Sequence, residues 1–216
     1  MRREGRKTPQ LGTSCQISMP INLLMPDSSI PAPWGPFLKE LDAVAAEQVD
    51  FHCIGGFVLT RQYGFMLETS DVDVLAIRPT PLLDQFLALG AKGSPLHRKH
   101  RIYLQLVTVI EAYPEEYEDR LSEMFPGALK HLRLLAPDPH DLVLMKVGRN
   151  SERDREGIKF LARKGLITST ELRTRYEKEM RPYIALPETR NDPVISLWQE
   201  MIDEEVAAQQ HPDAAL

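Results

Sequence analysis

Hydrophobic and polar positions fall into two periodicities along this chain. Phe51-His52-Cys53-Ile54 is a nearly continuous apolar run that stops at Gly55-Gly56, the pattern of a buried strand breaking into a glycine turn and a helix start. Ser70-Asp71-Val72-Asp73-Val74-Leu75-Ala76-Ile77 alternates acidic and apolar residues and predicts a strand over 71–78. Ahead of the first strand, a helical pattern begins at Trp34, with Phe37, Leu38, Leu41, Val44 and Ala45 on one apolar face. Between the two strands, Phe57 to Tyr63 reads as a short helix closed by Gly64. Thr80 is placed as an N-cap with Pro81 at the first helical position, opening a helix that carries Leu82, Leu83, Phe86, Leu87 and Leu89 to Gly90. Residues 101–110 are β-branched and alternating, and are expected to pair near the Asp71 strand.

Beyond Glu111 the pattern turns helical. Pro114 to Phe125 reads as an acidic helix, Lys130 to Leu135 as a short edge strand, and Asp138-Pro139-His140-Asp141 as the start of a helix through Val147. Ser151-Glu152-Arg153-Asp154 and Thr168-Ser169-Thr170-Glu171 have the form of capping boxes, and a last amphipathic helix covers about 193–208. The expected architecture is α/β of the α+β kind, a mixed sheet flanked by helices. The domain organisation reads as an N-terminal extension over 1–32, a core over 33–135, a helical C-terminal segment over 136–208 and a tail over 209–216. Within the extension, residues 1–18 ahead of Met19 read as a mis-called start or a dispensable extension.

Composition narrows the functional classes. At 216 residues and 43% hydrophobic content the chain can bury a substantial core. No apolar run approaches the roughly 18 residues of a membrane span, and no apolar stretch follows the basic start, so a cytoplasmic location without a membrane partner is expected. Cys15 and Cys53 are the only cysteines, which supports neither a disulfide framework nor a zinc site. A net charge of −5 argues against broad electrostatic binding of nucleic acid. Locally the balance reverses: Lys92, His97, Arg98, Lys99, His100 and Arg101 form a basic segment, read as a solvated turn or a nucleic-acid contact. His52 reads as a packed histidine.

The chemistry concentrates on the glycine pair and the acidic strand. Alternate strand side chains share a face, so Asp71 and Asp73 lie on one side about 6–7 Å apart while Val72 and Val74 face the other. Two converging carboxylates suit a divalent cation, and Gly55-Gly56 leaves backbone N–H groups bare for an anion. Together they describe a nucleoside-triphosphate site.

Ile54-Gly55-Gly56-Phe57, Thr69-Ser70-Asp71-Val72-Asp73-Val74-Leu75, Asp141-Leu142 with Lys146, and Arg153-Asp154 resemble the nucleotidyltransferase superfamily of the DNA polymerase beta type. The likeness spans roughly residues 35–180. It is nearest to a bacterial branch of small domains related to the toxins of abortive-infection type IV systems. The resemblance implies Mg²⁺-dependent transfer of a nucleotidyl group from a nucleoside triphosphate to a hydroxyl of RNA, such as tRNA, or of protein, with a toxin–antitoxin partner. Asp71 and Asp73 would be catalytic metal ligands. Gly55, Gly56, Ser70, Lys146 and Arg153 would bind the nucleotide, with Thr60 and Arg149 as further donors. Catalytic members usually carry a third carboxylate on a neighbouring strand, whereas residues 101–110 here contain Gln105 and Thr108 and no acid; Glu111 stands at the strand's end and Glu115 lies beyond it. Leu67 also stands where relatives often carry Arg. The alternative implied is a catalytically degenerate nucleotide-binding or antitoxin-like regulatory module.

Overall fold

The computed structural model describes residues 29–108 and 112–210. In chain order the elements are α1 (Trp34–Asp42), β1 (Val49–Ile54), α2 (Gly55–Arg61), β2 (Asp71–Arg78), α3 (Leu83–Gly90), α4 (Pro95–His100), β3 (Tyr103–Leu106), β4 (Ser122–Met124), β5 (Leu132–Ala136), α5 (Pro139–Leu144), α6 (Glu152–Arg163), α7 (Ser169–Arg175), α8 (Pro187–Arg190) and α9 (Asp192–Gln210). The expected mixed α/β architecture is present as a five-stranded sheet in the order β3-β2-β1-β5-β4.

β1 is central, which explains its almost unbroken apolar run. It pairs antiparallel with β2 and parallel with β5, and Phe51, Cys53 and Ile54 are buried. β2 and β3 run parallel, with Asp71 opposite Tyr103 and Asp73 opposite Gln105. The β1–β2 register slips between His52 and Cys53, whose partners are Ala76 and Val74, so Leu75 is the extra residue of a bulge. Before the bulge Val72 and Val74 point into the core; after it Ile77 does. The bulge lets one strand send both aspartates outward at its start and still bury its far end.

α1, α3 and α4 cluster together, with Phe86 of α3 packed edge-on to Phe51 at 5.3 Å. The C-terminal helices form a second group in which α9 lies against α6 and α7. α6 joins this group to the sheet domain. A Cβ on Gly157 would stand 2.8 Å from a Leu59 methyl, and Phe160 meets Phe65 at 5.2 Å.

Several expected elements differ. The 114–125 segment is no helix but a 3-10 turn over Tyr117–Arg120 followed by β4. Tyr117, Leu121 and Met124 have helical spacing, yet the backbone of 122–124 pairs with β5 instead. β5 is an interior strand, flanked by β1 and β4, and Asp42 fixes its start by accepting N–H bonds from Lys130, His131 and Leu132. The basic turn is the short helix α4, capped by Ser94 with Pro95 at its first position. Among the described residues the 101–110 strand is shorter, Tyr103–Leu106; Val109, Ile110 and Glu111 lie outside the description. Thr80 makes no cap and instead opens a 3-10 turn before α3. Val44 is exposed. Of the two expected capping boxes, Ser151 and Asp154 complete theirs, whereas Thr168 accepts from the Glu171 N–H and the Glu171 carboxylate turns to Arg175.

A buried ion network ties the 3-10 turn to the C-terminal helices. Asp141 is fully buried and accepts from Arg120 at 2.8 and 3.1 Å and from Arg175 at 2.9 Å. Arg120 also donates to Glu179, and Arg175 to Asp138 and Glu171. Removing one partner leaves the others desolvated and unpaired. Asp141→Ala is therefore expected to cost about 3 kcal/mol or more in chemical denaturation, whereas Glu177→Ala, an exposed partner of Arg173, is expected to cost less than about 0.5 kcal/mol.

Candidate active site

At the start of β2, the end of β1 and the turn between α5 and α6, the chain encloses a cavity of about 1030 Å³. Its walls include Gly55, Gly56, Asp71, Asp73, Lys146 and Arg153, which brings six of the seven residues singled out in the sequence to one place. Ser70 is not among the lining residues; Thr69 takes its place and bonds Asp71 through its hydroxyl. Strand geometry explains the swap, since alternate residues face the cavity and Ser70 falls between them.

Gly55 is required by geometry. Its φ is +70°, and a Cβ there would overlap the Asp73 carboxylate. β1 and β2 are in register at this point, Ile54 opposite Asp73, so the glycine is the surface on which that carboxylate rests. Gly56 is different. A Cβ there would sit at ordinary contact distance from Leu67 and Thr69, 3.4 Å from each, so its bareness serves the open side of the cavity rather than the fold. α2 starts at these glycines, earlier than the Phe57 start read from the sequence.

The two aspartates are unequal. Asp71 accepts from Thr69 and, at 3.4 Å, from the hydroxyl of Tyr103, its register partner on β3. For Asp73, burial and then the neighbouring Asp71 charge push the pKa up to about 6, against the opposing pull of Arg149 and Lys146.

Cations line the same cavity: Lys146, Arg149, Arg153 and Arg190. Lys146 lies beyond the end of α5 at Leu144, not inside a helix reaching Val147, and its side chain is only 14% exposed. Burial lowers its pKa while Asp154 supports the charged form at 3.6 Å. Arg149 grips Asp154 with two bonds of 2.8 and 2.6 Å, and Ser151 adds its N–H and hydroxyl. These partners hold the Asp154 carboxyl down to about 2 despite its burial. Arg153 donates to the Glu68 carbonyl, clamping the segment before β2 onto α6. Asn150 has φ +43° and accepts from the Trp198 indole at 2.9 Å, so α9 anchors the same turn.

Other expected participants lie elsewhere. Thr60 donates to the Leu67 carbonyl, and Asp141 belongs to the buried network. Glu115 accepts from Tyr183 and does not line the cavity. His52 is the packed histidine expected, against the Tyr117 hydroxyl at 3.1 Å. Among the described residues no group of three or more His, Cys, Asp or Glu gathers as a metal set; Gln105 stands opposite Asp73 on β3, and Glu111 lies outside the description. Sequence reading missed Thr69, Tyr103 and Arg190. Thr69 and Tyr103 were recoverable from strand alternation; Arg190 carried no local signal.

A family described as nucleotidyltransferase of unknown function (DUF6036) has a sequence model that matches residues 37–205. No curated protein and no solved structure matches the chain. No described helix is long and apolar enough to cross a membrane.

Two measurements follow from this geometry. Gly55→Ala is expected to lower stability by more than about 1 kcal/mol, because it combines a left-handed backbone with the overlap on Asp73, while Gly56→Ala is expected to stay within about 0.5 kcal/mol of the parent. Asp154 has a folded pKa below its ordinary value of 3.8, so it stabilises the protein above that pH and its contribution fades as pH falls from 3.8 through about 2. Denaturation curves of the parent against Asp154→Asn are expected to differ by about 2 kcal/mol at pH 6 and to converge near pH 2.

Proposed function

We infer, from a chain that belongs to this nucleotidyltransferase family, that the cavity binds a nucleoside triphosphate with Mg²⁺ and transfers its nucleotidyl group to an acceptor hydroxyl. One observation carries the reading: an aspartate pair on one face of β2 and four cations line a single cavity large enough for a nucleotide.

The donor set fits the metal. Mg²⁺ is commonly held by one or two carboxylates, with water and substrate phosphates completing its shell, and Asp71 with Asp73 supplies that many. Burial, with the Asp71 charge beside it, raises the Asp73 pKa, so a cation bound there would favour its ionised form. When bound, the ion would neutralise charge developing on the phosphoryl oxygens and orient the reacting groups.

The protein's own side chains do the rest. Lys146 and Arg149 face the polyphosphate as point charge and fork, kept in place by Asp154, which occupies Nε and one Nη of Arg149 and leaves the other Nη for the ligand. Arg153 and Arg190 extend the positive wall. Gly56 leaves room for close approach, and Leu67, Leu142 and Met145 supply apolar wall for the nucleoside. In the transfer, the acceptor oxygen bonds to the α-phosphorus, the bond to pyrophosphate breaks, and the hydroxyl proton passes to solvent.

A second reading, nucleotide binding without efficient turnover in a regulatory or antitoxin-like module, is favoured by Gln105 standing opposite Asp73 where an acid would complete a three-carboxylate set. One experiment separates the two. Incubation with each α-labelled nucleoside triphosphate, Mg²⁺ and total RNA or protein extract is expected to yield labelled product, lowered at least about 100-fold by Asp73→Asn and abolished by EDTA. Binding of nucleotide and Mg²⁺ without label in any product would select the second reading, and no nucleotide binding at all would exclude both.

A further inference from the structure

The arginines of this protein are almost all engaged. Among the described residues, Arg78, Arg120, Arg133, Arg163, Arg173 and Arg181 are ion-paired, and the arginines of the cavity wall have partners as well. Arg98 and Arg101 stand apart: both are exposed, and neither guanidinium meets a carboxylate, a carbonyl or a ring. They sit in one short segment with Lys92, also exposed and without an ion pair. From Lys92 to Tyr103 there is no acidic residue, and the one acid that reaches this segment, Glu40 of α1, is taken by Lys99 and His100. In a chain of net charge −5, three uncompensated cations gathered on one helix and its approach are a local reversal.

Backbone geometry adds a separate observation. Arg101 ends α4 in the left-handed region, φ +62° and ψ +18°, where glycine is the usual occupant. A non-glycine residue kept in that conformation is strained, and its long cationic side chain stands in solvent with no partner in the fold to repay it.

The segment also borders the aspartates. The Lys92 ammonium lies over the Tyr103 ring at 5.4 Å, His97 packs edge-on to the same ring at 5.4 Å, and the Tyr103 hydroxyl bonds Asp71. β3 is the edge strand of the sheet, and its exposed Gln105 stands opposite Asp73. The cations of the cavity come from other parts of the chain, the turn after α5, α6 and α8.

We propose that α4 and its approach bind the acceptor, a single-stranded nucleic acid whose phosphates lie on Lys92, Arg98 and Arg101 and whose terminal hydroxyl reaches the aspartate pair along the β3 edge. Phosphates spaced along a strand match a row of exposed cations, and the polar Gln105 suits a sugar edge. The inference rests on the nucleotidyl-transfer reading of that pair and deepens it by naming the acceptor class.

The test uses the full chain and fluorescence anisotropy with single-stranded RNA and DNA oligonucleotides and with polyglutamate, across a range of salt. The triple variant Lys92→Glu/Arg98→Glu/Arg101→Glu is expected to bind RNA or DNA at least about tenfold more weakly, with a log-log salt slope shallower by about 2. A preference between the two oligonucleotides identifies the source of the strand. Arg101→Gly is expected to raise Tm and weaken binding together, a combination that a purely structural arginine would not give. Calorimetry of ATP with Mg²⁺ keeps the two readings apart: unchanged nucleotide binding in the triple variant is expected. Intact nucleotide binding by the parent without oligonucleotide binding, affinity untouched by the charge reversal, or tighter binding of polyglutamate would each overturn the acceptor assignment and leave the nucleotide site standing. Loss of nucleotide binding in the parent itself would overturn the site reading first.

Discussion

The carboxylate of Asp73 rests on the bare backbone of Gly55 and beside the charge of Asp71, and the surrounding structure is built to keep it there. Two β-strands meet in register at that point, the glycine adopts a conformation other residues rarely adopt, and a bulge one residue beyond Val74 lets β2 expose its acids and bury its other end. Burial raises the cost of ionising Asp73, and the neighbouring Asp71 charge adds to it. Such an arrangement is unfavourable for a merely structural strand.

Two of the cavity's cations, the largely buried Lys146 and the exposed Arg149, are held by a carboxylate of their own. Asp154 does this from the first turn of α6, where its carboxylate caps the helix, binds Arg149 by two bonds and supports the charge of Lys146. A carboxylate already committed to three donors fixes the cations beside it. The turn carrying Lys146 and Arg149 is fixed in turn by Asn150 and Trp198, and the Arg120–Asp141–Arg175 network holds α5 just before it. The C-terminal helices thus act on the site through this turn and through Arg153 of α6 and Arg190 of α8.

Much of this was legible locally. The central strand announced itself by a continuous apolar run, β2 by alternation, Gly55 by the helix start it permits, and α6 by a capping box that the structure completes in both directions. What escaped was set by partners distant in sequence. The 114–125 segment has helical spacing at Tyr117, Leu121 and Met124, but its backbone is claimed by β5, and β5 itself is interior only because β1 pairs with it in parallel across some eighty residues. The basic segment lacked an apolar stripe, and only Ser94 with Pro95 marked a helix there. Lys146 was expected inside a helix through Val147, because nothing nearby in sequence reveals that α5 ends at Leu144 and that Asp154 and the cavity bury the side chain. Arg190 reaches the cavity from α8, far along the chain and without a motif.

The central claim is that the aspartate pair is a cation site completed by nucleotide, and Mn²⁺ paramagnetism measures it directly. Titrating the full chain with Mn²⁺ by electron paramagnetic resonance, with and without a nucleoside triphosphate, should show bound Mn²⁺ that tightens when nucleotide is present and weakens at least about tenfold in both Asp71→Asn and Asp73→Asn. Equal Mn²⁺ binding by the parent and the two variants, with nucleotide making no difference, would contradict the account.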